Sequence, residues 1–314
     1  MANYLTTNAI GEREDLSDVI TRVDPDETPV FSNARKIVTK GVTHEWQVQE
    51  LAAASATNYN TEGADFSFTN PTATTRLGNV HQIFVQAASV SNTLDVVDKA
   101  GRDREVAYVK LIKGLEQRRD MEKTITMSQA KNSSDPRKMG SIAAYMTNVD
   151  KVSPSTTATG DGTDVSDGAG TNAALSLAKI DAAMLAAYNE GGQPDIMIMH
   201  PNNKAAFSDL SSGSVADAQL QYSAPKEIAI VGSVSMYLTD FGELNVVIDR
   251  FIGDEHVWLL DTDYYAIGHL PGRLFSSTEV AATGDGQKFA IVSEATYVPT
   301  APKAHGAVLD LSGS

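Results

Sequence analysis

Two strand-like segments separated by a long polar stretch constrain this fold more than any other feature of the sequence. Apolar and polar residues alternate over 44–51 and again over 80–86, with the two-residue period of a half-buried strand. The 28 residues between them, 52–79, are rich in Ala, Thr, Asn and Gly. Hairpin loops usually contain about two to five residues, so this connection is either a functional projection or a segment without fixed structure.

Phe66 and Phe68 occupy alternate positions within this polar stretch. Alternate residues of an extended chain lie on the same side, so the two rings would form a small apolar patch. A pair of exposed aromatic rings on one side of a projection favours docking onto another surface.

The segment before the first strand is predicted to contain an amphipathic helix followed by an arm. Four apolar residues with helical spacing predict the helix: Leu16, Val19, Ile20 and Val23. The pair Asp24-Pro25 ends it, because the residue before a proline avoids helical backbone angles. Residues 24–40 then have no core pattern of their own. We expect the apolar side chains of this arm to be buried elsewhere on the chain or on a neighbouring subunit.

A long helix is predicted over about 102–130, which at 1.5 Å per residue is more than about 40 Å. An apolar stripe indicates its buried face: Tyr108, Leu111, Ile112, Leu115 and Ile125. The other face mixes basic and acidic residues at helical spacing, which is typical of a solvated surface with ion pairs.

The second half of the chain has the pattern of a compact α/β unit. Residues 151–174 form a low-complexity linker of Ser, Thr, Gly and Asp. The predicted elements after it are a helix at 176–190, a buried strand at 196–199, a helix from Pro201, a strand-rich region at 226–269 and strands at 289–299 and 307–309.

Charge and hydropathy exclude several classes of protein. The chain has 25 Lys+Arg against 40 Asp+Glu and a formal charge of −15, which argues against a surface dedicated to nucleic acid or anionic membrane. Only residues 95–138 are net basic, with 11 basic and 8 acidic side chains. No stretch approaches the roughly 20 apolar residues that span a bilayer, and no signal-peptide pattern is present, so we expect a soluble protein.

The sequence offers no arrangement typical of catalysis. It has no Cys, which excludes disulfides, thiolate metal sites and a Cys nucleophile. His200 lies at a predicted strand–helix junction, where a metal ligand or a catalytic base could lie. No Ser or Asp close in sequence completes a nucleophile arrangement, so we expect His200 to be a structural residue that forms hydrogen bonds at the junction. The acidic loop 160–168 departs from the spacing of an EF-hand and lacks its final Glu. We therefore predict no catalytic residue, no metal and no cofactor.

Several short motifs follow one another along the chain between about residue 12 and residue 310. They are DPDETPVF at 24–31, HEWQ at 44–47, PDIMIMHP at 194–201, TDFG at 239–242, LLDTDY at 259–264, TGD at 283–285 and KAHG at 303–306. Together with the order of arm, two-stranded excursion, long helix and α/β unit, they resemble the major capsid (major head) proteins of tailed bacteriophages. That family is the Hong Kong-type phage capsid family with the Johnson fold.

The resemblance implies an α+β protein with the Johnson capsid fold. Its parts would be an N-arm at 1–42, an extended two-stranded E-loop at 43–93, a P-domain with a long spine helix and a surface loop at 94–171, a compact α/β A-domain at 172–280, and C-terminal P-domain strands at 281–314. No large scaffold-like segment precedes the arm, and no Lys–Asn crosslinking pair with a catalytic Glu is identifiable, so covalent crosslinking is not expected.

The implied function is structural. Copies of the chain would assemble into hexamers and pentamers that form an icosahedral head around double-stranded DNA, without sequence-specific binding and without a membrane. Further candidate partners are the portal and scaffold or decoration proteins, and the protein would be made in the host bacterial cytoplasm and reside in the virion. The expected inter-subunit contacts are Val30, Phe31, Trp46, Phe66, Phe68 and Arg76, the only Lys or Arg within 43–93.

Three alternatives remain open at this point. An encapsulin-like nanocompartment shell would share the fold and differ in shell size and in the absence of DNA. A soluble α/β binding or hydrolytic protein would be a monomer with a pocket near His200. Another virion component, such as a tube or decoration protein, agrees less well with the long helix and the arm.

Overall fold

The computed structural model describes residues 24–68, 70–151, 156–166, 172–215, 235–282 and 284–312. The helices within these ranges are α1 (Pro29–Asn33), α2 (Asn92–Val96), α3 (Glu105–Thr126), α4 (Leu177–Asn189) and α5 (Pro201–Val215). The strands are β1 (Arg35–Val38), β2 (Thr43–Val48), β3 (Thr75–Val80), β4 (Gln82–Ser91), β5 (Val149–Asp150), β6 (Ile196–Met199), β7 (Met236–Thr239), β8 (Gly242–Ile248), β9 (Val257–Leu260), β10 (Tyr265–His269), β11 (Ser276–Val280), β12 (Gly286–Pro299) and β13 (Gly306–Val308). The helix predicted over 16–23 and the strand predicted over 226–234 lie outside the described residues.

A five-stranded sheet is built around the 14-residue strand β12. The strand order is β1-β10-β12-β11, and β4 also pairs with β12, antiparallel over 82–91 and 286–295. β1 pairs in parallel with β10, so a segment near the start of the chain lies in the same sheet as strands from its last quarter.

Helix α3 covers one face of this sheet and is shorter than predicted. Its 22 residues give a length of about 33 Å at 1.5 Å per residue. The predicted apolar stripe is wrong at Leu111, which is exposed, whereas its members Tyr108, Ile112 and Leu115 are half-buried. The fully buried residues lie mainly in the second half of the helix, where Met121 and Ile125 contact the core. Polar Gln117 is buried there because its amide donates to the carbonyl oxygens of Phe84 (2.7 Å) and Ile291 (3.0 Å).

The α/β unit contains a six-stranded sheet with the order β5-β13-β9-β6-β8-β7. β6 is buried along its whole length between β8, which is parallel to it, and β9, which is antiparallel. The predictions of a helix at 176–190, a strand at 196–199 and a helix from Pro201 are confirmed by α4, β6 and α5. Together the two sheets and their helices confirm the predicted α+β class.

One hydrophobic core joins the arm, α3 and both sheets. It contains Val30 and Phe31 from the arm, Ile125 from α3, Trp258 from the six-stranded sheet and Tyr297 from the five-stranded sheet. A second cluster fills the space between α4, α5 and the six-stranded sheet. In the parts of the chain that the structure describes, no helix is long and apolar enough to cross a membrane.

Candidate functional site

The most distinctive surface is a two-stranded ribbon that is separate from both large sheets. β2 and β3 pair antiparallel from Thr43 opposite Val80 to Val48 opposite Thr75. Side chains of β2 alternate between exposed and half-buried, which confirms the predicted two-residue period. Beyond the paired strands, every described residue from 49 to 74 is exposed, so this part of the ribbon has almost no packing within its own chain.

Large apolar side chains lie along this exposed part of the ribbon. Leu51 is 96% exposed, Tyr59 84%, Phe66 81% and Phe68 93%. Apolar groups of this size are usually buried in soluble proteins, and a run of them in one projection marks a surface that a partner covers. Phe66 and Phe68 are therefore exposed, and their contact with another subunit stays a prediction.

Buried hydrogen bonds anchor the base of the ribbon to the body. The Asn79 amide nitrogen donates to the carbonyl oxygens of Gly140 (2.9 Å) and Tyr297 (2.7 Å), and its oxygen accepts from the Gly140 amide (2.8 Å). The carbonyl oxygen of Gly78 accepts from the Tyr145 hydroxyl and from the Lys131 ammonium, both at 3.0 Å. The root of the ribbon is therefore held at a defined position while its tip is free.

Trp46 lies on the inner side of β2 at this base. Its ring is half-buried against the main core, 6.0 Å between centroids from Tyr145, and it stacks on His44 at 6.0 Å. Burial lowers the pKa of His44, which keeps that imidazole neutral near pH 7. The structure thus places Trp46 where it supports the ribbon from within the chain, and its exposed remainder is the part that a neighbour could contact.

Arg76 projects from the outer part of β3. Its guanidinium lies 3.4 Å from Glu45 on the adjacent strand, with the two side chains 70% and 46% exposed. An exposed pair of this kind contributes at most about 1 kcal/mol. Arg76 therefore remains accessible to an acidic group on another subunit.

The arm differs from the extended segment predicted for residues 24–40. It contains α1, which starts at Pro29, and the side chains of Val30 and Phe31 are 0% and 6% exposed inside the core of their own chain. Val30 and Phe31, which were predicted to contact a neighbouring subunit, are therefore buried within their own chain in this conformation. The pattern was missed because a helix of five residues is too short to show a period.

Lys303 forms a second connection to the ribbon that the sequence did not indicate. Its ammonium lies 2.9 Å from the carboxylate of Glu50, just beyond β2, and 3.2 Å from that of Glu190, at the end of α4. The hydrogen bond to Glu50 raises the pKa of Lys303 and keeps it charged. Only contact in three dimensions reveals this bridge, because its members are more than 100 residues apart.

The two other candidate sites, His200 and the acidic loop 160–168, form hydrogen bonds with residues nearby in sequence. The amide of Asn202 donates to His200 Nδ1 (3.3 Å), so this imidazole accepts a hydrogen bond within the first turn of α5. Asp161 accepts from the hydroxyls of Thr159 and Thr163, which lowers its pKa, whereas Asp167 lies outside the described residues. Among the residues that the structure describes, no group of three or more His, Asp or Glu side chains could hold a metal ion.

Comparisons with known proteins agree on one family. A family model described as the SU10 major capsid protein matches residues 2–312. The major capsid protein of Escherichia phage Phieco32 is 23% identical over 352 residues, which cover 100% of this chain and 99% of that protein.

Two solved structures have a similar fold. The capsid asymmetric unit of cyanophage A-1(L) matches with a TM-score of 0.70 and 16% identity over 98% of both chains. The holo-SrpI encapsulin complex from Synechococcus elongatus PCC 7942 matches with a TM-score of 0.54 and 8% identity over 94% of this chain and 93% of that one.

Proposed function

The chain belongs to the SU10 major capsid protein family, and on that premise we propose how its copies join to form a phage head. It is a major capsid protein of a tailed phage with the Johnson capsid fold, and its function is structural. We propose that it assembles into hexamers and pentamers, that these close into an icosahedral head, and that the ribbon is the E-loop through which one subunit reaches the next.

The ribbon carries this proposal because it exposes apolar side chains that its own chain does not cover. Burying a Leu or an aromatic side chain contributes about 1.5–3 kcal/mol relative to leaving it in water. Covering Leu51, Tyr59, Phe66 and Phe68 on a neighbour would therefore supply several kilocalories per mole for each contact. The anchored root would direct the tip towards that neighbour at small additional cost in conformational entropy.

An open face of the five-stranded sheet is suited to receive the tip. Consecutive residues of a strand point to opposite faces, so Phe84 faces α3 while Val85 points away. On that second face Ile83, Val85 and, from β11, Val280 are 46–54% exposed. We propose that the aromatic rings of the E-loop lie against this apolar face in the adjacent subunit.

We propose one changed boundary between the parts on the basis of the strand pairing. We place the E-loop at 43–80 instead of the 43–93 expected from sequence, because β4 starts at Gln82 and pairs with β12. The P-domain would combine β4, α3 and the region to 171 with the C-terminal strands from 281. The A-domain, expected at 172–280, would contain most of the six-stranded sheet, whereas β10 and β11 at the end of that range pair with β12 in the five-stranded sheet. The N-arm would end near residue 42.

Packaged double-stranded DNA would be enclosed without sequence-specific contacts. Strong binding to phosphates needs clustered Lys and Arg that are free to replace counterions. In the net basic segment five of the 11 basic side chains pair with acidic groups, among them Arg102 with Glu105 (2.5 Å), Arg104 with Asp95 (3.0 Å) and Lys113 with Glu116 (2.6 Å). With a net charge of −15, an inner surface built from this chain would let DNA slide.

We further propose that the protein has no enzymatic activity and no cofactor. It would be made in the host bacterial cytoplasm and would contact the portal, and scaffold or decoration proteins, during assembly.

An encapsulin-like shell is the second candidate, favoured by the similarity to the SrpI encapsulin. The contents of purified particles distinguish the two, because a phage head contains DNA and a nanocompartment contains protein.

The E-loop assignment is tested by changing both aromatic residues at its tip. F66S/F68S should abolish shells in negative-stain electron microscopy, because it removes the proposed apolar contact. The subunit should keep its melting temperature within about 2 °C, since both side chains are exposed. Ser67→Ala, between the two rings, is the matched control and should give shells normally. Deleting residues 55–75 should have the same effect as the double substitution, and normal particles from either variant would refute the assignment.

A further inference from the structure

Polar contacts tie the ribbon to the body of its own chain at two levels. The first is the root, where the side chain of Asn79 bonds to backbone groups of the body. The second lies just beyond the paired strands, where the carboxylate of Glu50 is 2.9 Å from the ammonium of Lys303. Asn79 lies opposite His44 in the ladder, so six residues of extended chain, or about 20 Å, separate the two levels.

Lys303 projects from a segment that the body holds in place. It lies in the short 3-10 helix Pro302–Ala304, whose proline and alanine are buried. The amide nitrogen of Asn148 donates to the carbonyl oxygen of Lys303 (2.6 Å). A Cβ at Gly192 would collide with the backbone of Ala304, so the turn after α4 packs directly against this segment. The ammonium is therefore presented to the ribbon from a fixed backbone position.

The ammonium of Lys303 has two carboxylate partners from different parts of the chain. Glu50 belongs to the ribbon, whereas Glu190, 3.2 Å away, follows the last residue of α4. An ammonium has three donors, so it can bond to both carboxylates at once. The three side chains are 40–61% exposed, so water and salt reach this contact. Lys303 thus joins the ribbon, the C-terminal segment and the α/β unit at one exposed point.

We propose that Lys303 is a releasable clamp that sets the direction of the ribbon. A ribbon held only at its root could pivot, and a tilt of about 10° would move Glu50 by about 3–4 Å at a distance of about 20 Å. That movement would take the carboxylate beyond the roughly 4 Å limit of an ion pair, so the closed clamp confines the ribbon to a narrow range of directions. An exposed ion pair shifts an equilibrium by at most about fivefold, so the clamp opens readily when the tip gains a stronger contact.

The consequence for assembly rests on the proposed E-loop function. With the clamp closed, the tip points in one direction before it meets a neighbour, which reduces the conformational entropy lost on docking. Opening of the clamp then lets the tip adjust to the different angles between subunits in hexamers and pentamers. The clamp therefore speeds assembly without adding a contact between subunits.

Pulsed EPR distance measurements on the full-length chain test the clamp. The chain has no Cys, so Ala64→Cys in the exposed part of the ribbon and Ala182→Cys on the exposed side of α4 supply the only two thiols for spin labels. Labelled chains are diluted into an excess of unlabelled protein, so the distances lie within one chain whether or not shells form. The chain with Lys303 in place should give one main distance peak.

Two matched substitutions separate the clamp from other ion pairs. Lys303→Met should raise the fraction of chains outside the wild-type peak about two- to fivefold. Arg76→Met removes the pair with Glu45, which lies within the ribbon, and should leave the peak unchanged. Both variants should keep their melting temperature within about 2 °C, since these pairs are exposed. An unchanged peak in Lys303→Met, or equal broadening in Arg76→Met, would overturn the proposal.

The two carboxylates separate the clamp from a general effect of charge. Glu50→Gln should broaden the peak as much as Lys303→Met, and the double variant should broaden it no further, because both changes remove one contact. Glu190→Gln leaves the contact between Lys303 and Glu50 in place and should keep the peak. Additive broadening in the double variant would show that Lys303 and Glu50 act separately and would contradict the clamp.

Salt gives a test that needs no change in the contact itself. In 1 M NaCl the Debye length is about 3 Å, so the exposed clamp should open. The wild-type distances should then approach those of Lys303→Met, whose own peak should respond little to salt. A wild-type peak that stays the same at both salt concentrations would exclude an ion-pair clamp.

Assembly kinetics distinguish this proposal from the E-loop contact. Lys303→Met should form shells about two- to fivefold more slowly than Lys179→Met, which breaks the ion pair with Asp150 between α4 and β5. Equal rates would refute the role of the clamp in assembly. F66S/F68S should abolish shells and still give the wild-type distance peak. Failure of the E-loop contact would therefore appear in the particles, and failure of the clamp in the distances.

Discussion

At the scale of single residues, buried polar side chains connect segments that are distant in sequence. Asn79 links the root of the ribbon to Gly140 and Tyr297, and Gln117 links α3 to β4 and β12. Each of these amides satisfies backbone groups that the strands leave without a partner. Apolar side chains of similar volume could fill the same space, but they would leave those buried backbone groups unsatisfied, at a cost of about 1–3 kcal/mol each.

Asn79→Ala should lower the free energy of unfolding by about 2–4 kcal/mol. The substitution removes hydrogen bonds to Gly140 and Tyr297 and leaves their backbone groups buried without partners. Urea denaturation of the purified subunit measures the loss. Asn60→Ala, at an exposed position of the ribbon, is the control and should change stability by less than about 0.5 kcal/mol. Equal stability of the two variants would contradict the anchoring role of Asn79.

At the scale of elements, α3 contains a glycine that its packing does not require. A Cβ at Gly114 would meet only the end of the Ile291 side chain, at 4.0 Å. Gly114→Ala should therefore raise the free energy of unfolding by about 0.5–1 kcal/mol, because Ala loses less backbone entropy in a helix interior. Thermal melting at one protein concentration measures the gain, and Ala107→Gly on the exposed side of the same helix should cause a loss of similar size. A lower melting temperature of Gly114→Ala would show that α3 packs against its neighbours more closely at residue 114 than a Cβ allows.

The elements also show which parts of the structure local sequence could predict. The alternation in β2 and the buried run in β6 are local patterns, so β2 and the α/β unit were predicted with nearly correct limits. The second predicted strand, at 80–86, instead lies mainly in β4 of the five-stranded sheet, and the strand that pairs with β2 is β3, within the stretch interpreted as a polar connection. The motif resemblance added the family and fold, which are confirmed. Helix α1 was missed because its amides depend on Glu122, and the buried half of α3 was missed because Gln117 and Glu122 are polar residues buried by contacts that sequence does not reveal.

At the scale of the whole molecule, every copy carries the same large negative charge. Subunits of charge −15 repel one another as they approach, and the Debye length falls from about 14 Å at 50 mM salt to about 6 Å at 300 mM. The apolar contact proposed for the ribbon depends little on salt, so screening should mainly reduce the repulsion.

Shell formation should therefore be several-fold faster in 300 mM than in 50 mM NaCl, as measured by light scattering at a fixed protein concentration. E62Q/D65N removes two negative charges beside Phe66 and should show a smaller response to salt. Slower assembly at the higher salt concentration would show that ion pairs between subunits outweigh their general repulsion.

The continuity of β12 gives the subunit a mechanical property. Asn79 joins the ribbon to Tyr297 near one end of this strand, and β4 runs beside β12 over ten paired positions towards its other end. A pull on the ribbon directed along β12 would act on these backbone hydrogen bonds in shear, so that they share the load instead of opening one after another. Stress from a filled particle would thus pass from the ribbon of one subunit through the length of the sheet, and the stiffest direction of each subunit would be the axis of its longest strand.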